Sequence, residues 1–321
     1  DRWLPVNPGT EVILALGLAH VIIKNQLFSN DFINNYTYGF ENWKRVVLKE
    51  YSPETVEKIT GVSKSMITAL ARDFAGSKNP VAICGRGKGK TPGSASLFMA
   101  VHSLNALAGS VNTDGGVWAV EEPEYIQWPE IVRDETAEAG ILTERVDSAG
   151  SENYPYVQHL PNRFIEMLNS AKDTPVEALF VYGANPLYTL PDISSVQKAL
   201  DKIPFIVSFS SYMDETASHA DLILPDHLYL ERYEDVPQSR GFHRPLIGLS
   251  KPIIKPQFNT RYTGDVIIAL AEELGGAVSE AFPWKNYEHC LKETLADKWD
   301  VLNEKGFWMD ESFSAPGWKN T

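Results

Sequence analysis

Cysteine is scarce in this chain. It occurs twice in 321 residues, at Cys84 and Cys290, and neither has a C-x-x-C partner. That excludes an iron–sulfur centre or a structural zinc site built from this stretch's own thiols. Positive charge is also short, with 29 Lys and Arg against 42 Asp and Glu, a net charge of −13. Binding a phosphate backbone or an anionic membrane needs a basic face, so nucleic acid drops out as a partner. No apolar run approaches the length of a membrane-spanning helix. The G-K-[ST] ending of a P-loop and the G-x-G-x-x-G fingerprint are missing, and no Ser-His-Asp or Cys-His arrangement stands out. What is present is ordinary globular material, 43% hydrophobic and 22% charged. It is enough for a sizeable core in two domains or one large one.

The first third reads as helical. Residues 11–25 are apolar on nearly every face, as in a buried helix, with Thr10 as the expected N-cap. Ser52-Pro53-Glu54 opens a short helix that Gly61 ends. Ser63 opens another, with Met66, Ile67, Leu70, Ala71 and Phe74 at helical spacing. Residues 81–84 read as a strand, which makes Cys84 a buried small hydrophobe. Gly85-Arg86-Gly87-Lys88-Gly89-Lys90 follows, then a helix over 94–107. The glycine-rich loop reads either as an anion cradle with three cations or as a solvated surface loop. Residues 127–160 are polar and irregular. Residues 240–263, with Pro245, Pro252 and Pro256, read as an extended loop, and 265–274 as a helix. No internal repeat is evident.

Residues 177–226 are the most informative stretch. Strands are expected at 179–182, 205–209 and 222–224, with a helix over 192–202 between the first two. The strands end in Gly183-Ala184-Asn185-Pro186, in Ser210-Ser211 and in Pro225-Asp226. In open α/β sheets ligands bind beyond the carboxyl ends of the strands, so these loops are where chemistry is expected. Asp214, Glu215, Thr216, Ser218, His219 and Asp221 form a polar cluster, read here as scaffold, with His219 at the surface.

The wording of these loops, G-A-N-P-L-Y-T and S-Y-M-D-E-T-A-S-H-A-D-L-I-L-P-D, resembles the molybdopterin oxidoreductases of the dimethyl-sulfoxide reductase family. The segments L-P-V-N-P-G-T-E at 4–11, Y-S-P-E at 51–54, I-T-G-V at 59–62, L-N-A-L-A-G at 104–109 and G-G-V at 115–117 are similar too. The likeness runs from Leu4 to about Leu274 and thins over 127–160.

The resemblance implies an α/β fold of two Rossmann-like αβα lobes with mostly parallel sheets, incomplete relative to the full family fold. Residues 1–124 would form the later part of the family's third domain. Residues 125–276 would form the later part of its second, and 277–321 an extension or linker. It implies that the chain is an internal piece of a larger catalytic subunit, lacking an iron–sulfur cysteine cluster and a metal-ligating residue, and inactive alone. In the whole protein it would help position bis(molybdopterin guanine dinucleotide), with Mo or W, for two-electron redox of a small oxyanion or sulfur substrate; the fragment itself would bind none. The cofactor contacts it implies are Gly183, Asn185, Pro186, Thr189, Ser208, Phe209, Ser210, Asp226 and Asp265. Asp226 is expected to accept a two-bond fork from guanine. Arg86, Lys88 and Lys90 would face the substrate funnel. An iron–sulfur electron-transfer subunit and a membrane anchor are the implied partners, and the fragment is expected to self-associate. A periplasmic or membrane-associated compartment is favoured, with a cytoplasmic one left open. Glu121, Glu122 and Glu124 stand where formate dehydrogenases supply an active-site arginine, which argues against formate oxidation. Two other readings remain: a metal-free structural subunit of a respiratory complex, and an unrelated nucleotide-binding module.

Overall fold

The computed structural model describes residues 2–85, 94–120, 125–237 and 244–313. They divide into two compact units. The first comprises residues up to 120 with 154–159, and the second the remainder up to 313. Among the described residues no helix is long and apolar enough to cross a membrane.

The first unit is helical. Helix α1 (Glu11–Lys24) lies at its centre, with α2 (Asn30–Tyr36), α3 (Phe40–Glu50), α4 (Pro53–Thr60), α5 (Lys64–Gly76) and α6 (Ser94–Ala108) following. Helix α1 packs against α3, α4, α5 and α6. A helix that is apolar all round must be buried, and α1 buries Leu18, Ala19, Val21, Ile22 and Ile23. Each such large side chain taken fully from water stabilises the fold by roughly 1.5–3 kcal/mol. Gly17 permits the close approach of α4, because a Cβ there would lie 2.8 Å from Val56 Cγ2. Local signals set the ends of α4 and α5. The hydroxyls of Ser52 and Ser63 accept the N–H groups of Thr55 and Met66, and Gly61 ends α4 at φ +76°.

Three expectations in this unit are corrected. Thr10 does not cap α1 with its side chain; its hydroxyl donates to the Asn7 carbonyl at 2.7 Å. Residues 81–84 are extended but join no ladder. The Asn105 amide brackets Ala82 instead, its Oδ1 accepting the Ala82 N–H at 2.7 Å and its Nδ2 donating to the Ala82 carbonyl at 2.9 Å. Cys84 is therefore half-buried rather than buried. The only bridge recorded for this unit among the described residues is Val111 with Val117.

The second unit holds two small sheets. After the exposed helix α7 (Glu135–Leu142) and α8 (Pro161–Ser170) comes a parallel sheet of β1 (Ala178–Val181), β2 (Phe205–Ser208) and β3 (Leu222–Ile223), in that order. Short α9 (Pro186–Thr189) and α10 (Ile193–Leu200) connect β1 to β2. Asp192 caps α10, accepting the Ser195 N–H. Helices α8 and α10 cover one face of the sheet, packing on Val181 and Ile206. On the other face Phe180, Phe205 and Leu222 stay 47%, 42% and 40% exposed.

Residues 240–263, read as an extended loop, contain a strand. Strands β4 (Glu234–Val236) and β5 (Leu246–Ser250) pair antiparallel. Helices α11 (Thr263–Leu274), α12 (Gly276–Glu280), α13 (Tyr287–Thr294) and α14 (Trp299–Lys305) follow, and β6 (Phe307–Met309) closes the sheet against β5. Ile247, Leu291, Leu295, Trp299 and Leu302 form the core beneath it, so residues 277–313 are built into this unit.

Candidate functional site

In the parallel sheet, three strands point the same way and their carboxyl ends lie side by side. Val181 of β1 aligns with Ser208 of β2, and Ser208 with Ile223 of β3. Past these ends the chain opens into a cavity of ≈470 Å³. Its lining comes from all three loops: Gly183 and Asn185 after β1; Phe209, Ser210 and Asp214 after β2; Asp226 and Arg232 beyond β3. Gly183 sits at φ +62°, in the left-handed region that favours glycine, with nothing within 4 Å of where a Cβ would stand.

A hydrogen-bond network fixes the floor. Asp226 is only 5% exposed. Its Oδ2 pairs with Arg232 Nη1, and its Oδ1 accepts the Thr263 N–H at 2.7 Å, at the start of α11. Arg232 also donates to the His227 carbonyl at 2.9 Å and to Glu234 at 3.2 Å, and its guanidinium lies 5.2 Å from the Tyr262 ring centre. Desolvation works against the Arg232 charge, but Tyr182, Asp226 and Glu234 more than offset it and hold the guanidinium above its usual range. Burial pushes the Tyr182 hydroxyl up, against the pull of Arg232.

A second network ties the first loop to the second. Asn185 Nδ2 donates to Glu215 at 2.7 Å, while its Oδ1 accepts from the Thr216 hydroxyl at 2.7 Å. The Asn185 amide holds the Glu215 carboxyl below its usual range. Ser210 Oγ donates to Asp214 Oδ2 at 2.8 Å, and Asp214 Oδ1 accepts the Ala217 N–H at 2.7 Å.

The structure thus brings five of the nine expected cofactor residues to one cavity: Gly183, Asn185, Phe209, Ser210 and Asp226. The other four do not line it. Pro186 and Thr189 belong to α9, and the Thr189 hydroxyl donates to the Asn185 carbonyl. Ser208 is buried and its Oγ accepts the Ser210 N–H. Asp265 Oδ1 accepts the Tyr287 N–H at 2.8 Å. The two-bond fork expected of Asp226 meets a carboxylate whose oxygens each already hold a partner inside the protein. Arg86, Lys88 and Lys90, and Glu121, Glu122 and Glu124, lie outside the described residues. His219 is half-buried and pairs with Asp201 at 3.2 Å.

Sequence reasoning missed Arg232, Tyr182, Tyr212, Tyr229 and His227, all of which line the cavity. Tyr182 closes the first expected strand and was open to discovery. Arg232 lies six residues past Asp226, in a stretch with no periodic signal. Among the described residues no group of three or more His, Cys, Asp or Glu could hold a metal ion.

A menaquinone reductase, molybdopterin-binding-like subunit from Nitratidesulfovibrio vulgaris is 36% identical over 296 residues, covering 92% of this chain and 38% of the relative. The thiosulfate reductase molybdopterin-containing subunit PhsA of Salmonella typhimurium is 27% identical over 321 residues, covering 93% and 42%. The chain therefore spans well under half the length of these relatives. Among solved structures, acetylene hydratase from Pelobacter acetylenicus matches 96% of this chain and 46% of its own with a TM-score of 0.73 at 23% identity, a likeness of fold. The sequence profile of the molybdopterin oxidoreductases matches residues 1–273, and the chain belongs to that family.

Proposed function

We propose that the strand-end cavity of the second unit holds the guanine-nucleotide end of one arm of a bis(molybdopterin guanine dinucleotide). The observation that carries this reading is the convergence of three parallel strand ends on one polar cavity, the position at which open α/β sheets bind nucleotides. The residues present fit such a group. Gly183 leaves its backbone open to close approach. The aromatic rings of Tyr182, Tyr212 and Tyr229 border the cavity and are 49%, 71% and 66% exposed, available to a base. Arg232 stays charged in the cavity wall, where its donors are taken by Asp226, Glu234 and the His227 carbonyl, so it holds the wall in place. Asp214 is half-buried and lines the cavity; its oxygens already accept the Ser210 hydroxyl and the Ala217 N–H, but unlike Asp226 it carries no ion pair among the described residues and is the more accessible of the two, so the remaining lone pairs of its oxygens are the ones offered to guanine N1–H and N2–H₂. Asp226 then acts by orienting Arg232 and anchoring α11. Pro186, Thr189, Ser208 and Asp265 frame the loops.

When bound, the molybdopterin group supplies the two-electron redox chemistry at molybdenum or tungsten; the residues described bind and orient its nucleotide end. On this reading the second unit is one Rossmann-like lobe and the first is the helical side of another. The whole protein is then a catalytic subunit working with an electron-transfer partner; the relatives' names, which call each a subunit of a reductase, support its being part of a larger assembly. A sulfur compound or oxyanion is the proposed substrate. The test is chemical analysis of the whole protein from its natural host. The expected result is molybdenum or tungsten with GMP released from the extracted pterin by mild hydrolysis. Absence of pterin, or release of another nucleotide, would contradict the proposal.

A further inference from the structure

In the second unit, residues 127–145 are exposed without a break. Connections longer than about 12–15 residues are uncommon in a compact domain and tend to be functional or disordered. This one is held at both ends. The Gln127 N–H donates to the Thr294 carbonyl at 2.8 Å, and the Trp128 and Trp284 rings meet edge-on with centres 6.0 Å apart. At the far end Arg145 donates twice to Asp147 at 2.9 Å, and the Asp147 oxygens also accept the Ala149 and Leu160 N–H groups.

Helix α7 lies between these anchors, and none of its eight residues is buried. Helices that short are marginal in water, and most helical stability in proteins comes from packing an apolar face. Here local devices hold the helix. Asp134 caps it, accepting the Ala137 N–H at 2.8 Å, and Arg133 pairs with Glu138 at 3.7 Å. Yet the segment carries apolar side chains into water. Ile131 and Val132, before the helix, are 58% and 72% exposed, and Ile141 and Leu142, at its end, 58% and 87%.

Charge indicates what kind of surface would cover them. The segment holds five acidic residues and two basic ones. Both cations are engaged, Arg133 with Glu138 and Arg145 with Asp147. Glu130, Glu135 and Glu144 are exposed and in no ion pair among the described residues. A second copy in a two-fold contact would set these carboxylates against their like, and the chain as a whole carries a net charge of −13. Like charges facing each other suppress a pairing. The complementary surface is therefore apolar, rimmed by Lys and Arg, and belongs to a different protein.

We propose that residues 127–145 are a docking arm, which lays α7 into an apolar groove with a basic rim on another subunit of the assembly. An amphipathic helix in a groove is a recurring mode of recognition. The cap and the anchored ends preform the helix, which lowers the entropy lost on docking. Ile131, Val132, Ile141 and Leu142 supply the apolar contact, and Glu130, Glu135 and Glu144 the charged rim that steers encounter.

Hydrogen exchange tests this on the full-length subunit, alone and in the assembly purified from its natural host. The α7 amides should exchange freely in the isolated subunit and about tenfold or more slowly in the assembly. Ile141→Gln with Leu142→Gln should weaken the assembly by about tenfold or more. It should leave the melting temperature of the isolated subunit unchanged, since both side chains already face water. Glu130→Lys with Glu144→Lys should slow association and flatten its dependence on salt. Any of five results would overturn the proposal: α7 amides still unprotected in the assembly, protection already complete in the isolated subunit, crosslinking of the arm to a second copy, a subunit that purifies without a partner, or glutamine variants that assemble as tightly as the unaltered protein.

Discussion

Removing the Asp226 carboxylate should lower stability more than any other single change at the strand-end cavity. The Asp226 and Arg232 side chains are 7% and 14% exposed. In Asp226→Ala two things happen at once. Arg232 loses a charge-assisted hydrogen bond, of the order of 1.5–3 kcal/mol. The Thr263 N–H at the head of α11 loses its acceptor, a further 1–3 kcal/mol or so. Glu234 and the His227 carbonyl still hold Arg232 and soften the loss. The expected total is about 3–5 kcal/mol, the usual range for breaking a buried pair from one side. Asp226→Asn keeps an oxygen for Thr263 and should lose about half as much. Replacing both partners, as in Asp226→Leu with Arg232→Met, should recover part of the loss, because no buried charge is then stranded. Urea unfolding followed by tryptophan fluorescence reads all three, at unchanged m-value. A loss below about 1 kcal/mol in Asp226→Ala would refute the reasoning. It would mean that the carboxylate is solvated and free to meet a ligand.

Four further outcomes are expected. Val56→Ala should destabilise the first unit by about 1–3 kcal/mol, and Gly17→Ala should be far better tolerated in that background than alone, because its clash is with the Val56 methyls; additive effects in a double-mutant cycle would contradict the packing described. A thiol reagent at pH 8 should leave Cys290 untouched in the folded protein, since burial raises its pKa to about 11, and modify it only after denaturation. For Asp147, burial raises the carboxyl pKa, but Arg145 and the N–H groups of Leu160 and Ala149 outweigh it and bring the value below 3.8. Its contribution is therefore present above the unfolded pKa of 3.8 and lost as pH falls through the lower folded value, and hydrogen exchange near Ala149 should accelerate only below about pH 4. Finally, Phe180, Phe205 and Leu222 stay exposed on the face of the parallel sheet away from α8 and α10, although Val207 among them is buried; light scattering should detect concentration-dependent association that Phe180→Ser with Phe205→Ser reduces.

The parts of the fold that sequence made legible are those fixed by neighbours along the chain. Ser52, Pro53 and Gly61 mark both ends of α4 within ten residues, and Asp192 marks the start of α10. The three parallel strands announced themselves as short apolar runs ending in turn residues. The antiparallel sheet did not. Strand β6 pairs Phe307 with Gly248 across the intervening helices, and Pro245 and Pro252 made the middle strand look like a loop although both lie just outside it. Residues 81–84 failed for the opposite reason. The apolar run was real, but a strand needs a partner, and Asn105 satisfies Ala82 from 23 positions away. At the site, the sequence could place a carboxylate beyond a strand end. It could not reveal that Arg232 folds back on Asp226, because that contact depends on how the chain turns between them. The family likeness pointed to loops that the structure brings to one cavity, and the difference in burial between Asp214 and Asp226 emerged only from the fold.

The most direct test of the account is calorimetric titration of the cofactor-free protein with GDP and ADP, repeated on Asp214→Asn. The variant retains an oxygen for the Ala217 N–H, and its amide nitrogen can donate to the Ser210 hydroxyl in place of accepting from it, so the loop should hold its shape. The expected result is tighter binding of GDP than ADP by roughly ten- to a hundredfold, from the carboxylate–guanine pair, and a GDP affinity in Asp214→Asn that falls to the ADP level. Equal binding of the two nucleotides by the unaltered protein, or an undiminished preference for GDP in the variant, would contradict it.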